Sequence, residues 1–192
     1  MTAVLLLMLT QALIGAFDTL YFHEYRARLP ARGRQARAEL RLHGVRAVIY
    51  AVLFGTLPWV AWHGLFAALL GLLLLVEIVI TQADFVVEDE VRRPLGGVFP
   101  GERVTHSIMG IVYGAMLAHF VPVLLAWAAE PTALAIVPAG ELSWLRLALG
   151  PLALGVLVSG LRDLAAASGS RLAAWPWRLV PDDEAANAET MP

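Results

Sequence analysis

The sequence predicts an all-α polytopic membrane protein with about five transmembrane helices, and three observations support this fold class. Hydrophobic residues make up 59% of the 192 residues and the mean hydropathy is +0.69, whereas a typical soluble domain is about half apolar. The apolar residues are concentrated in long runs of about 20 residues, the length that crosses a bilayer as a helix. Most of the arginines lie between these runs, where they would meet water and lipid headgroups.

Each apolar run is a candidate membrane span. The segments are residues 3–22, 44–62, 64–86, 105–128 and 143–163. The first could be mistaken for a signal peptide, but no basic segment precedes it and no clean small-residue cleavage site follows, so we interpret it as an uncleaved span. We expect residues 1–164 to form the transmembrane helical domain. Residues 165–192 become small, polar and finally acidic, which is typical of an interfacial segment followed by a disordered tail.

The arginines and tryptophans predict the orientation of the spans. Loops 23–43 and 87–104 carry most of the arginines, so the positive-inside rule places both loops and the C-terminus in the cytoplasm and the N-terminus outside. The chain is therefore predicted to be a multi-pass protein of a bacterial cytoplasmic (inner) membrane, with the lipid bilayer as its first partner. The tryptophans expected in the outer aromatic belt are Trp59, Trp62, Trp127 and Trp144.

The composition excludes several kinds of function. Cysteine is absent, which excludes disulfides, thiolate metal ligands and thiol catalysis. The sequence contains arginine but no lysine, which excludes Schiff-base chemistry on a lysine. The net charge of −2 gives no reason to expect a nucleic-acid partner. No nucleotide or flavin motif is present, so any electrons used in a reaction would come from a partner subunit or another electron donor.

Ionisable residues gather at the predicted cytoplasmic ends of the first four spans. Such groups are costly in a bilayer, and each one is a functional-site hypothesis. Glu77 is the deepest, about 10 Å further into the membrane than Asp84 at a helical rise of 1.5 Å per residue. The candidate metal ligands among these residues are Asp18, Glu24, Glu39, His43, Asp84, Glu88, Glu102 and His106.

A short pattern occurs twice at the same spacing. Each copy has a glutamate, a histidine four residues later and a tyrosine seven residues after that, so its members share one helical face. The repetition predicts that spans 1–4 form a bundle of two parallel-repeat hairpins, with span 5 outside the polar residues. The matched residues are Glu39, His43 and Tyr50 in the first copy and Glu102, His106 and Tyr113 in the second.

This arrangement resembles the di-iron and di-manganese carboxylate four-helix proteins, in which two helices supply acids and two supply Glu/His pairs. The resemblance implies that spans 2 and 4 supply Glu39 with His43 and Glu102 with His106. Spans 1 and 3 would supply Asp18 or Glu24, and Asp84 with Glu77 or Glu88. The spacing departs from that class, because it is Glu-x3-His here and Glu-x2-His there. The implied cofactor is a divalent metal ion, iron first, with manganese or zinc as alternatives.

Other interpretations of the same residues remain open. A haem b held between His43 and His106 is less favoured, because haem pockets are mostly apolar. The acids near the interface can also be solvated helix-end groups that pair with loop arginines. In a catalytic site, Glu77, Tyr50 and Tyr113 would handle protons. Arg46 would neutralise buried acids or bind an anionic substrate or lipid headgroup.

Three classes of function follow from the sequence. The first is a membrane metalloenzyme, an oxidoreductase that acts on a lipid-soluble substrate at a dinuclear site near the cytoplasmic face. The second is a proton- or cation-coupled membrane carrier. The third is a non-catalytic membrane subunit whose polar residues only hold the helices together. The scarcity of polar residues in the outer half of the predicted spans counts against transport.

Overall fold

The computed structural model describes residues 1–138 and 143–178, and helices dominate it. The predicted helical class is therefore confirmed. Strands β1 (Val60–His63) and β2 (Ala133–Ile136) add a small antiparallel sheet that was not predicted. The helices are α1 (Thr2–Phe17), which continues as a π-helix (Asp18–Arg26), α2 (Leu29–Arg32), α3 (Arg37–Thr56), α4 (Leu65–Arg92), a 3₁₀ turn (Arg93–Leu95), α5 (Pro100–Ala128) and α6 (Ser143–Ala167).

Within the described residues, four helices are long and apolar enough to cross a membrane, which indicates a membrane protein. They are Thr2–Arg26, Leu65–Arg92, Pro100–Ala128 and Ser143–Ala167. Large apolar side chains cover their outer surfaces, as suits contact with lipid; Leu147, for example, is 73% exposed. Helix α3 is less hydropathic because its first half contains Arg37, Glu39, Arg41 and Arg46.

The helices continue beyond the predicted spans at one end of the bundle. Helix α4 runs to Arg92 and α5 begins at Pro100, so Glu88 and Glu102 lie inside helices rather than in a loop. The span-length rule finds only the apolar part of a helix, and it cannot see polar turns that are stabilised by partners on other helices. The polar residues at this end are consequently fixed on rigid elements.

The five long helices form a ring, in the order α1, α5, α4, α3, α6 and back to α1. Helix α1 packs on α5 and α6, while α3 packs on α4 and, most extensively, on α6. Spans 1 and 2 therefore do not form the predicted hairpin. Span 5 was expected outside the polar residues, and that expectation is wrong, because α6 fills the place between α1 and α3.

Small residues explain the tight crossing of α3 and α6. A Cβ on Gly160 would lie 2.6 Å from Cβ of Ala47 and 2.9 Å from the carbonyl oxygen of Gly44. A Cβ on Gly44 would in turn lie 2.9 Å from the carbonyl oxygen of Gly160. Small residues let membrane helices approach until their backbones touch. This close approach carries the inner end of α6 towards the polar residues of α3.

The interior of the ring is divided along its length. One half is apolar and is packed around Met8, Leu53, Leu70 and Phe120. The sheet lies over this apolar end, where Gly64 adopts φ +58° and has no room for a side chain beside Thr132. The other half contains all of the buried charged residues except Arg146, which donates to the carbonyl oxygens of Val137 and Pro138 at the apolar end. Any chemistry of those residues is therefore confined to one end of the bundle.

The segment after α6 folds back on that helix. Arg162 donates from Nε to the carbonyl oxygen of Ala173 at 2.8 Å and from Nη2 to that of Trp175 at 2.7 Å. These bonds hold a run of turns over residues 168–178. The predicted acidic tail, with Asp182, Asp183 and Glu184, lies outside the described residues.

Candidate metal centre

The polar half of the ring contains one connected set of side chains, which we call the polar cluster. It includes residues from α3, α4, α5 and α6 and from the π-helix that continues α1. The Glu-His-Tyr patterns of α3 and α5 face each other within it at three successive levels. The polar cluster consists of Asp18, His23, Glu24, Glu39, His43, Arg46, Tyr50, Glu77, Asp84, Glu88, Arg92, Glu102, His106, Tyr113, Arg162 and Asp163.

At the first level, Arg92 joins the two glutamates of the repeated pattern. Its Nε donates to both carboxylate oxygens of Glu39 at 3.0 Å. Its Nη2 donates to Oε1 of Glu39 at 2.8 Å and to Oε1 of Glu102 at 3.1 Å. Arg92 is only 1% exposed. The guanidinium group thus balances two buried carboxylates whose pairing the sequence did not predict.

At the second level, three imidazole rings lie close together. The His23 ring is 4.6 Å from the His43 ring and 6.4 Å from the His106 ring, measured between centroids. Nδ1 of His43 lies 2.6 Å from Oδ2 of Asp163, a residue of α6. His43 is thereby tied to a carboxylate that stands at the end of the fifth apolar run.

His106 contacts acids through both of its ring nitrogens. Nε2 lies 3.1 Å from Oδ2 of Asp18, and Nδ1 lies 3.5 Å from Oε2 of Glu88. Nε2 of His23 lies 3.3 Å from Oε1 of Glu102 and 3.6 Å from Oδ2 of Asp18. The two imidazoles and three carboxylates therefore alternate in a continuous chain.

At the third level, Glu77 meets the tyrosines of the repeated pattern. Tyr50 donates to Oε1 of Glu77 at 2.9 Å, and Thr81 donates to the same oxygen at 2.7 Å. The rings of Tyr50 and Tyr113 are 6.2 Å apart. Arg46 lies between this level and the histidines, where its Nη1 donates to Asp84 at 2.6 Å. The deep carboxylate predicted from the sequence thus has hydroxyl donors as its neighbours.

Two groups of three residues have the spacing of metal ligands. One is Asp18, His23 and His106, and the other is Glu88, Glu102 and His106. Within each group, one ligand atom from every residue lies within 4.8 Å of the others. His106 belongs to both groups, and its two nitrogens would serve two neighbouring ions if the ring lost its N–H proton and became an imidazolate. Histidine nitrogen with carboxylate oxygen is a donor set that suits iron, manganese or zinc.

Each of the other members of these groups also has a buried atom without a hydrogen-bond partner among the described residues. The atoms are Oδ1 of Asp18, Nε2 of His23, Oε1 of Glu88 and Oε2 of Glu102. The four residues that carry these atoms are between 0% and 6% exposed. Buried polar atoms are almost always satisfied, and a cation bound in each group would satisfy two of the four.

Acids outnumber permanent cations in the polar cluster. Within the described part of the chain it contains eight carboxylates, which are buried or half-buried, against the guanidinium groups of Arg46, Arg92 and Arg162. An unbalanced buried charge costs several kcal/mol per ion. The excess must be balanced by protons on carboxyl groups or imidazoles, or by bound metal ions.

The remaining predicted ligands have charged partners outside the two groups. Glu24 pairs with Arg162, Glu39 with Arg92 and Asp84 with Arg46. His43 pairs with Asp163, as described above. The structure therefore collects four of the predicted ligands, Asp18, Glu88, Glu102 and His106, around two possible ion positions, and it places the other four in the surrounding ion pairs.

His23 is a candidate ligand that sequence reasoning missed. Residues five apart, such as Asp18 and His23, are about 140° apart around an α-helix. The segment Asp18–Arg26 is instead a π-helix. Its hydrogen bonds join residues five apart, which places Asp18 and His23 on one face of successive turns. Short π-helical segments are often found at functional sites, and nothing in the sequence pattern announced this one.

Asp163 was also missed, although a signal for it existed. It is a carboxylate at the inner end of the fifth apolar run, in the same position as the acids that we did select on spans 1 and 3. The cost of a buried charge applies to it equally. The prediction that the fifth span lies outside the polar residues does not extend to this carboxylate.

A cavity of about 330 Å³ opens onto the polar cluster. Its polar end is lined by Asp18, His23, His43, Arg46 and His106 among others, and its apolar end by residues of α1 and α6. Glu88 and Glu102 are not among its lining residues. The group containing His23 therefore faces the cavity, while the group containing Glu88 lies behind it.

The chain was compared with known proteins. No protein-family model matches it, and neither the curated proteins nor the solved structures contain a match.

Proposed function

We propose that the protein is an integral membrane metalloprotein with a dinuclear site centred on His106. One ion would be held by Asp18, His23 and His106, and the other by Glu88, Glu102 and His106. The observation that carries the proposal is that these two groups share one histidine and that every other member has a buried atom without a partner among the described residues. The ions are divalent metals, with iron first and manganese or zinc as alternatives.

A metal-ion pair fits the cluster better than haem does. The rings of His43 and His106 are separated by the His23 ring, which is 4.6 Å from one and 6.4 Å from the other. A haem ligated by His43 and His106 would need that space. His43 is also engaged by Asp163, and the surrounding side chains are carboxylates, which haem pockets generally lack.

The reaction class that we propose is oxidation or reduction of a lipid-soluble substrate in the adjoining cavity. Two iron or manganese ions held by these residues would supply a two-electron acceptor for such a substrate, and a partner subunit or electron carrier would reoxidise them. Tyr50 lines the cavity and donates to Glu77, and Tyr113 lies behind Tyr50. The Glu77 carboxylate can accept a proton released with those electrons, and the Tyr50 hydroxyl can relay it.

The arginine distribution supports a topology for this enzyme. We propose that α3 spans the membrane as well as the four more apolar helices, since it lies within the same ring. The N-terminus would be outside and the loops before α3 and after α4 would be in the cytoplasm of a bacterial cell. The dinuclear site would then lie near the cytoplasmic face.

Metal analysis of the purified protein tests the proposal. We expect the wild-type chain in detergent to contain about two transition-metal ions, after isolation or after anaerobic reconstitution. His106→Ala should lose both ions because His106 belongs to both groups. The matched control is His119→Ala on the same helix, where the histidine is exposed. Metal-free wild-type protein that cannot be reconstituted, or equal metal content in both variants, would refute the proposal.

A structural role for the polar cluster is the second candidate, and the ion pairs favour it. Arg92 satisfies two glutamates, and Arg46 and Arg162 each pair with an acid. In this case the acids without partners would be protonated, and His106→Ala would lower stability without any metal being present. Transport is less favoured, because the other half of the described interior is packed with apolar residues.

A further inference from the structure

The cavity beside the polar cluster has the size of a binding site for a small molecule. Its volume of about 330 Å³ falls in the usual range of ligand pockets, roughly 300–1,000 Å³. Its apolar walls come from α1 and α6, mainly through small side chains, and from Ala47 and Phe54 of α3 and Met109 of α5. The apolar lining residues on α1 and α6 include Ala12, Gly15, Ala16, Leu152, Gly155 and Val156.

The cavity opens sideways between α1 and α6. Leu20 lines the cavity and is 67% exposed on the outer surface of the bundle. Pro151 and Gly155 of α6 are also both lining residues and exposed. These positions lie within the two membrane-length helices and away from their ends. The opening therefore faces the hydrocarbon of the bilayer, from which only an apolar or amphiphilic molecule can enter.

The inner end of the cavity offers both donors and acceptors of hydrogen bonds. Nε of Arg46 and Oδ1 of both Asp18 and Asp84 are buried and have no hydrogen-bond partner among the described residues. Oε1 of Gln11 is a further buried acceptor without a hydrogen-bond partner among the described residues. All of these residues line the cavity. A polar group at the end of an apolar molecule could satisfy several of them.

The charges at this end favour an uncharged headgroup. From the sequence, Arg46 would either neutralise buried acids or bind an anion. In the structure Asp84 pairs with it at 2.6 Å, and Oε1 of Glu77 lies 3.8 Å from its Nε. A carboxylate or phosphate here would add negative charge beside these acids. A hydroxyl group carries no charge, can donate to an aspartate and can accept from Arg46.

We propose that the cavity binds an uncharged amphiphile with a hydroxyl headgroup, which enters from the bilayer between α1 and α6. The apolar part lies against the small residues of the two helices, and the hydroxyl lies among Asp18, Arg46 and Asp84. Binding of this molecule does not depend on the proposed function. Only its role as the substrate of the metal site rests on that function. The hydroxyl end then lies beside the ligand group that faces the cavity.

The experiment uses the full chain in phosphatidylcholine nanodiscs and a hexadecanol that carries a photoreactive diazirine. Crosslinked residues are identified by mass spectrometry, and competition is measured with hexadecanol, hexadecanoate and hexadecylammonium. We expect saturable labelling of residues 12–20 and 151–159. Hexadecanol should compete at least about tenfold more effectively than either charged analogue.

Gly155→Leu blocks the opening and Gly114→Leu is its control. A Cβ at either position meets no atom within 4 Å, so neither change introduces a clash next to the backbone. Gly155 lines the cavity, whereas Gly114 lies on the exposed surface of α5. Saturable labelling should fall at least about tenfold in Gly155→Leu and stay unchanged in Gly114→Leu.

Three results would overturn the inference. The first is labelling that does not saturate, and the second is labelling that is unchanged in Gly155→Leu. The third is labelling that is suppressed more strongly by hexadecanoate or hexadecylammonium than by hexadecanol. Competition in the wild-type chain decides the question even where Gly155→Leu does not fold. Metal content is measured on the same samples. Bound metal without saturable labelling rejects the amphiphile alone. Saturable labelling of a chain that never binds metal rejects the dinuclear site alone, and the cavity remains a lipid-binding site.

Discussion

At the scale of single residues, the main feature of the structure is the pairing of its buried charged side chains. The repeated Glu-His-Tyr spacing predicted which residues share a helical face, and the structure places each pair of equivalents at the same level. The partners across helices could not be predicted, because they depend on which helices meet. His23 escaped prediction because its position depends on a local π-helix.

Arg92→Met should be strongly destabilising. It leaves Glu39 and Glu102 buried without their shared cation, a loss expected to cost about 3–5 kcal/mol. The measurement is thermal unfolding in detergent. The control is Arg103→Ala, which removes a salt bridge to Asp89 whose two side chains are 62% and 60% exposed. That change should cost less than about 1 kcal/mol. Similar losses in both variants would show that the first level of the polar cluster contributes little.

At the scale of elements, the apolar runs predicted where the helices lie along the chain, but not which helices pack against each other. Composition and span length predicted the apolar cores of the helices, since these follow from the cost of exposing the backbone to lipid. The ring order, with α6 between α1 and α3, follows from small residues that permit a close crossing. A glycine in an apolar run is compatible with many packings, so the sequence alone did not select this one.

Gly160→Ala should separate α3 from α6. Its methyl group would lie 2.6 Å from Cβ of Ala47, and overpacking of this kind costs about 1–3 kcal/mol. Gly114→Ala is the matched control, because its methyl group meets nothing within 4 Å. It should be neutral or stabilising by up to about 1 kcal/mol through helix propensity. Thermal unfolding of the two variants checks this, and equal stabilities would contradict the close crossing.

At the scale of the whole molecule, the ring creates an asymmetric interior. One half is apolar and the other contains most of the buried charge. The sequence predicted this division, because the ionisable residues gather at the same ends of successive spans. It did not predict the cavity, which lies between α1 and α6, a pair of helices that pack together much less extensively than α3 and α6 do.

The absence of cysteine makes the topology directly testable. Single changes to cysteine at Arg37 and Trp59, which flank α3, are labelled in right-side-out vesicles with a membrane-impermeant maleimide. Trp59→Cys should be labelled in intact vesicles and Arg37→Cys only after lysis, since the positive-inside rule predicts that the arginine-rich loops are cytoplasmic. Glu130→Cys and Arg103→Cys provide the same contrast across α5. Labelling of both α3 positions from one side would show that α3 does not span the membrane.

The location of bound metal tests the central claim most directly. Anomalous X-ray scattering, recorded at the absorption edge of the metal found in the purified protein, would locate each ion without assumptions about its ligands. The account predicts two peaks on opposite sides of the His106 ring. One would lie among Asp18, His23 and Nε2 of His106, and the other among Glu88, Glu102 and Nδ1. A map without a peak at either position, or with metal bound only elsewhere, would contradict the account.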